Sequence, residues 1–331
     1  MTDERKKGPA IVALGGGNGL SAILRGLKLY TEDLTAVVTV ADDGGGSGVL
    51  REDLGMPPPG DIRNCMEALA DTESLMQNLL AYRFTEGRLA GQAFGNLLLA
   101  ALTGISDSFD QAVARMSQVL AITGCILPVT NANVQLEAIF ENGTSVCGES
   151  KIFAFKKAQN CRIHHVRLLP GNPPALPAAV EAIRRADVIL LGPGSLYTSV
   201  IPNLLVDGIS EAIQDSRALK IYVCNIMTQD GETEGMSAAD HVAALLEHGG
   251  PGLVKICLCN SAPVSGSLLE RYSLEDAEPM RVDRREVELL GAEVVMRPLT
   301  DERSNYARHS GVKVAQAVMD LYHQMADTKI F

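Results

Sequence analysis

Ala10-Ile-Val-Ala-Leu-Gly-Gly-Gly-Asn-Gly-Leu-Ser21 is the stretch that decides the fold. Residues 10–14 form a short, continuous apolar run, the pattern of a strand buried on both faces. Glycines end that run, and from residue 20 to 29 apolar side chains return at helical spacing. Strand, glycine turn and helix are the first half of a βαβ unit, and Thr35-Ala-Val-Val-Thr-Val-Ala41 supplies the parallel strand that completes it. Working outward, strand-like runs at 188–191, 221–225, 254–259 and 294–295 alternate with helical patterns near 203–214, 238–247 and 312–324. The chain reads as α/β: a Rossmann-like, doubly wound, mainly parallel sheet. A glycine- and proline-rich loop is expected over 42–60 and a helical segment over about 61–120, with pieces at 61–70, 73–82, 95–103 and 109–120. Glu141-Asn-Gly-Thr144 centres a small antiparallel hairpin insertion over about 125–168, because Asn-Gly is the strongest hairpin turn signal. No linker separates independent halves, so residues 1–331 are expected to form one domain.

Composition narrows the function. The chain has 331 residues, 46% hydrophobic and 21% charged, with a net charge of −11 and no tryptophan. A nucleic-acid partner normally calls for a basic face, and base stacking for aromatic platforms; neither is evident here. The polar start, with Glu4-Arg5-Lys6-Lys7, lacks the apolar stretch of a signal peptide, and no window reaches the apolar length of a membrane span. The seven cysteines include no Cys-x-x-Cys pair. Reduced, buried thiols in a cytoplasmic protein are the expectation.

The chemistry is concentrated at strand ends. Gly15, Gly16, Gly17, Asn18 and Gly19 lie between a strand and a helix, where unpaired backbone N–H groups favour an anion and glycine lets a phosphate approach them. The bland alternative is a tight turn that packs a helix. The spacing is not the dinucleotide fingerprint, since Leu20 stands where the third glycine belongs, and no P-loop lysine follows. Asp42 and Asp43 end the second strand, placed to accept from a ribose, to share Mg²⁺ with phosphate oxygens, or to stabilise a turn. The run Gly44-Gly-Gly-Ser-Gly48 offers a second anion cradle that includes Ser47. Arg51 and Arg63 could neutralise a pyrophosphate or serve as surface ion pairs, and Asn96 could reach a ligand or simply cap a helix. Gly192, Gly194 and Ser195 repeat the strand-then-glycine arrangement, and two such loops on one sheet suit a ligand at a reversal of strand order. Asn225, Thr228 and Gln229 end the next strand with groups able to read a base edge or hold a sugar. His164-His165 and the pair His241 and His248 lack the spacing of a metal site, and Ser195 is not in a nucleophile elbow.

Taken in order, these motifs resemble the bacterial gluconeogenesis-factor family, relatives of the 2-phospho-L-lactate transferases. The resemblance spans the chain through Gly15-Gly-Gly-Asn-Gly-Leu-Ser21, Asp42-Asp-Gly-Gly-Gly-Ser-Gly48, Pro58-Pro-Gly-Asp-Ile-Arg-Asn64, Phe94-Gly-Asn-Leu97, Leu191-Gly-Pro-Gly-Ser-Leu-Tyr-Thr-Ser-Val-Ile-Pro-Asn203 and Asn225-Ile-Met-Thr-Gln-Asp-Gly-Glu-Thr233. Asn18, Gly46 and Gln92-Ala93 stand where that family has Thr, Ser and His-Ser. The resemblance implies a UDP-sugar ligand such as UDP-N-acetylglucosamine, no required cofactor, and a regulatory role in cell shape and cell-wall supply on gluconeogenic carbon sources. It also implies ligand contacts from Tyr272 and Arg308; cell-wall or carbon-metabolism regulatory proteins and a second copy of the chain are possible partners, and the sequence itself reveals neither. The enzymatic alternative is transfer of a phosphoester-bearing three-carbon acid from a nucleotide diphosphate to a deazaflavin alcohol, with Mg²⁺ on Asp42 and Asp43. An NAD-dependent oxidoreductase is a third reading.

Overall fold

A computed structural model describes residues 8–71, 74–274, 276–301 and 306–328; the charged start at 1–7 and residue 73 lie outside the described residues. Seven strands make the main sheet: β1 (Ile11–Gly15), β2 (Leu34–Val38), β3 (Cys125–Pro128), β7 (Val188–Leu191), β8 (Leu219–Val223), β9 (Ile256–Asn260) and β10 (Glu293–Arg297). Their order is β10-β9-β8-β7-β1-β2-β3, and every pairing is parallel. All residues of β1, β7 and β8 are buried, as expected of strands covered on both faces. The α/β, doubly wound architecture is therefore observed.

A second sheet of order β5-β4-β6 joins β4 (Gln135–Phe140), β5 (Ser145–Cys147) and β6 (Ile163–Leu169) antiparallel. The expected insertion thus starts later than residue 125. Cys125–Pro128 pairs with β2 in the main sheet, with Thr35 opposite Cys125. Four residues with no alternation carry too little pattern to tell a buried edge strand from a hairpin arm.

Helices follow in chain order: α1 (Gly17–Leu27), α2 (Gly45–Leu54), α3 (Gly60–Leu69), α4 (Ser74–Ala81), α5 (Phe94–Gly104), α6 (Phe109–Val119), α7 (Glu149–Gln159) and α8 (Pro177–Arg185). The remainder are α9 (Ile201–Leu204), α10 (Ile209–Asp215), α11 (Ala238–Gly249), α12 (Gly266–Ser273), α13 (Arg284–Leu289) and α14 (Gly311–Thr328). The loop expected over 42–60 instead contains α2. Its glycines disfavour helix, but burial of Ser47, Leu50 and Arg51 overrides that preference. The single helix expected near 203–214 is instead two, α9 and α10, with Gly208 at φ 88° between them and a π turn at Leu196–Val200 before α9.

Helix α1 buries Leu20, Ile23, Leu24 and Leu27, one face at i, i+3, i+4 and i+7, and packs between α3 and α14. A Cβ added at Gly26 would lie 2.0 Å from the Gly311 carbonyl oxygen, and one at Gly311 would lie 2.0 Å from that of Ala22. The two helices touch backbone to backbone. Gly26→Ala should gain about 1 kcal/mol of helix propensity but lose more to overpacking against main chain, for a net loss of about 1–3 kcal/mol. Urea unfolding checks this, and a stabilised variant would contradict the close crossing.

Candidate functional site: a cleft where the strand order reverses

The chain runs β1, β2, β3 toward one edge and then returns to place β7 on the other side of β1. Leu14 pairs with Leu191, and the Gly192 amide donates to the Leu14 carbonyl at 2.9 Å. The two glycine turns therefore emerge side by side. Two of their glycines serve this packing. A Cβ at Gly19 would fall 2.4 Å from the Pro193 carbonyl oxygen, and one at Gly16 would fall 2.3 Å from Asp61 Oδ2. Gly17 differs: at φ +64° it takes a left-handed conformation, its amide bonds Asp61, and a Cβ there would meet nothing closer than Ser199 Oγ at 3.8 Å.

A cleft of about 580 Å³ opens beside these turns. It brings together Asn18, Gly19, Gly194, Ser195, Asn225, Thr228, Gln229, Tyr272 and Arg308. Gly16, at the N-cap of α1, supplies no side chain to satisfy the helix's first amides. Ser195 Oγ donates to Gln229 Oε1 at 2.8 Å, tying the β7 and β8 loops. Thr228 is largely committed: its hydroxyl accepts from the Glu278 amide at 2.9 Å and holds the segment that follows α12. Tyr272 and Arg308, far apart in sequence, are joined because the Tyr272 hydroxyl accepts from the Ala307 amide at 3.1 Å. The Arg308 guanidinium lies 4.9 Å from the Tyr306 ring centroid.

Sequence reasoning missed two contributors to this cleft. Helix α7 brings Phe153 and Lys157 to the rim, held by ion pairs from Lys157 to Asp230 at 2.5 Å and from buried Lys156 to Glu234 at 2.8 Å. His309 lines the floor, its Nε2 3.1 Å from the Cys224 carbonyl. Burial pushes His309 down to about 4, so the neutral ring donates that bond. A lysine pair in an insertion and an isolated histidine carry no motif, so nothing in the sequence pointed to them.

Gly15, Gly16, Gly17, Gly192, Asp42, Asp43, Ser47 and Asn96 do not line this cleft. Asp42, Ser47 and Asn96 form one line instead: the Asp42 carboxylate accepts from the Gly44 amide at 2.7 Å and from Ser47, whose hydroxyl lies 3.5 Å from Asn96 Nδ2. Asp43 turns away, accepting from the Ser150 amide at 2.9 Å. The two adjacent aspartates thus do not form a chelating pair. Nor do the arginines reach the cleft. Arg51 is buried and donates to the Val134 carbonyl, while Arg63 bonds Asn96, Glu67 and Asn64.

Behind the turns lies a concentration of negative charge that includes three carboxylates not foreseen. Glu232 accepts from the amides of Leu196, Tyr197 and Thr198 at 3.1, 3.0 and 3.0 Å. The protein's own carboxylate fills the anion position after β7, and at the start of α1 Asp61 accepts from the Gly17 amide. Burial raises Glu232 to about 7 against those hydrogen bonds. Burial and the charge of Asp42 raise Asp61 to about 7, despite the Gly17 amide and Arg63. Glu149, at the start of α7, is pushed up to about 9 by burial and by Asp42, Asp61 and Glu232, against a bond from the Thr198 hydroxyl. Near neutrality Glu149 carries its proton. Among the described residues no three carboxylates converge within 4.8 Å. Asp42 and Asp61, with the Ser47 hydroxyl, are a hard oxygen set that suits Mg²⁺ only if ligand phosphates complete the shell.

Residues 11–300 match the family described as 2-phospho-L-lactate transferase CofD. The gluconeogenesis factor of Bacillus subtilis is 46% identical over 95% of this chain and 98% of its own length. That of Halalkalibacterium halodurans is 46% identical over 94% and 95%. The chain belongs to the gluconeogenesis-factor family. A crystal structure of a UPF0052-family protein from Bacillus halodurans superposes with a TM-score of 0.91, at 45% identity, over 95% of this chain and 99% of that one. Gly46 and Gln92 meet in space: a Cβ at Gly46 would lie 2.8 Å from Gln92 Oε1, so glycine at 46 leaves room for Gln92.

Glu149 has a pH consequence. Its folded value of about 9 exceeds the ordinary 4.5, so between these values the folded chain keeps a proton that the unfolded chain releases. Its contribution to stability is full below pH 4.5 and is lost as pH rises toward 9. Glu149→Gln cannot titrate, so its melting temperature should gain on the wild type steadily from pH 5 to 9 at fixed ionic strength. A constant difference would show that Glu149 is not held protonated.

Proposed function

We propose that this chain is a nucleotide-sugar-binding regulator of the gluconeogenesis-factor type, without turnover, that takes a UDP-N-acetylglucosamine-type ligand in the cleft beside the two glycine turns. The observation that carries this reading is the convergence of Asn18 and Gly19, at the start of α1, with Gly194 and Ser195 of the second turn on one cleft, while Glu232 engages the amides after β7. A diphosphate held there sits at the positive end of the helix. Asn225 and Gln229 then offer amide edges to the uridine or sugar. Tyr272 and Arg308 close the far side, with the guanidinium against phosphate or sugar hydroxyls. Lys157 adds positive charge at the rim, partly offset by Asp230. Such a ligand fits a role in sugar-nucleotide supply for the cell wall and cell shape during growth on gluconeogenic carbon, as the names of the relatives support in part.

The transferase reading has its own support: the family description and the Asp42–Asp61 carboxylates beside Gly17, which suit Mg²⁺ shared with a nucleotide diphosphate and its neutralisation of a leaving phosphate. The glutamine at 92, where a histidine is usual in the resembling family, and the divergence of Asp42 and Asp43 weigh toward binding alone.

Calorimetry separates the two. UDP-N-acetylglucosamine should bind without Mg²⁺, and Asn225→Ala and Arg308→Ala should each weaken it about tenfold, or ~1.4 kcal/mol, with unchanged melting temperature of the free protein. Binding confined to a guanosine diphosphate with Mg²⁺ would transfer the conclusion to the enzyme.

A further inference from the structure

One layer below the cleft floor lies a group of side chains that the proposed ligand does not use. Cys257 and Cys259 stand at i and i+2 on β9 and so project from the same face of the sheet. The Cys224 amide donates to the Leu258 carbonyl at 3.0 Å, which sets the end of β8 alongside them. All three sulfurs lie within 4.8 Å of one another, with Cys257 Sγ and Cys259 Sγ 3.6 Å apart. The side chains are buried, at 0%, 0% and 1% exposure for Cys224, Cys257 and Cys259. The remaining cysteines are scattered, Cys125 exposed and Cys147 and Cys161 half-buried, so the expectation of uniformly buried thiols fails for those three.

We propose that Cys224, Cys257 and Cys259 form a trigonal thiolate site for one soft monovalent metal ion, Cu(I). Three sulfurs around an ion at a metal–sulfur distance of about 2.3 Å lie about 4.0 Å apart when the ion sits in their plane. One pair stands 3.6 Å apart and the others lie within 4.8 Å, so a small adjustment of the side chains brings the sulfurs to that spacing. Among the described residues no histidine, carboxylate or further cysteine joins the group as a fourth ligand. Structural Zn²⁺ demands four ligands in a tetrahedron, whereas soft thiolates without a fourth partner select Cu(I). Binding exchanges thiol protons for the ion and changes no oxidation state; the protons leave to solvent. The site is continuous with the cleft, because the Cys224 carbonyl accepts from His309 and Asn225 follows it in the chain. An ion there would stiffen the strand end that presents Asn225.

The test uses the whole reduced chain and Cu(I) supplied as its acetonitrile complex, in competition with a chromophoric Cu(I) chelator. One equivalent should leave the chelator, with a thiolate-to-copper band in the near ultraviolet. X-ray absorption of the loaded wild type should show three sulfurs at about 2.3 Å, a reading that needs no variant to fold. Cys257→Ser and Cys259→Ser should each weaken binding at least tenfold, while a chain with Cys65, Cys125, Cys147 and Cys161 all changed to Ser should retain it. Equimolar Zn²⁺ should not displace the copper. The proposal is overturned if no copper leaves the chelator, if fewer than three sulfurs surround it, if binding follows the other four cysteines, or if Zn²⁺ takes the site in its place.

Discussion

The direct pairing of β1 with β7 is the constraint on which the rest of the molecule depends. Strands that are neighbours in a parallel sheet but far apart in the chain leave their carboxyl ends uncovered by a connection common to both. Here 172 residues separate the end of β1 from the start of β7, and the two turns meet only because neither carries side chains at the point of contact. Gly19 leaves room for the Pro193 carbonyl and Gly16 for the Asp61 carboxylate, so a side chain at 19 would push the turns apart and one at 16 would push the first turn off α3. Close approach of backbone is thus the first service of these glycines, and space for a ligand is the second.

Electrostatics divides the site into two halves. On the cleft side the start of α1 presents amides, with Arg308 and Lys157 at the rim. Behind the turns Asp42, Asp61, Glu149 and Glu232 are crowded in low dielectric, and burial raises all four against the opposing pull of Arg51 on Asp42 and Arg63 on Asp61. Glu232 alone is strongly tied down, by three consecutive amides. Glu232 on the amides after β7 and Asp61 on the Gly17 amide together restrict where a diphosphate can lie. The insertion contributes to both halves, through Glu149 at the start of α7 and through Lys156 and Lys157 farther along it.

The strand-and-helix alternation and the chemistry of the two turns were legible because both are local. A buried parallel strand needs an unbroken apolar run, and a glycine turn needs glycine, whatever lies elsewhere. The same locality explains the errors. Residues 125–128 read as part of the insertion because only pairing with β2 makes them a main-sheet strand. Residues 45–54 read as loop because the burial that stabilises α2 comes from distant segments, including the Val134 carbonyl that engages Arg51.

From sequence alone came the fold class, the glycine turns at the ends of β1 and β7, and the polar residues that follow β8. Only the tertiary structure decided which turn amides the chain's own carboxylates engage, that Asp42 and Asp43 part company, that α7 walls the cleft, and that three cysteines from two strands converge. The physical reason is range: backbone conformation is written by neighbours a few residues away, whereas burial, charge repulsion and ligand convergence are set by groups the chain brings together across a hundred residues or more.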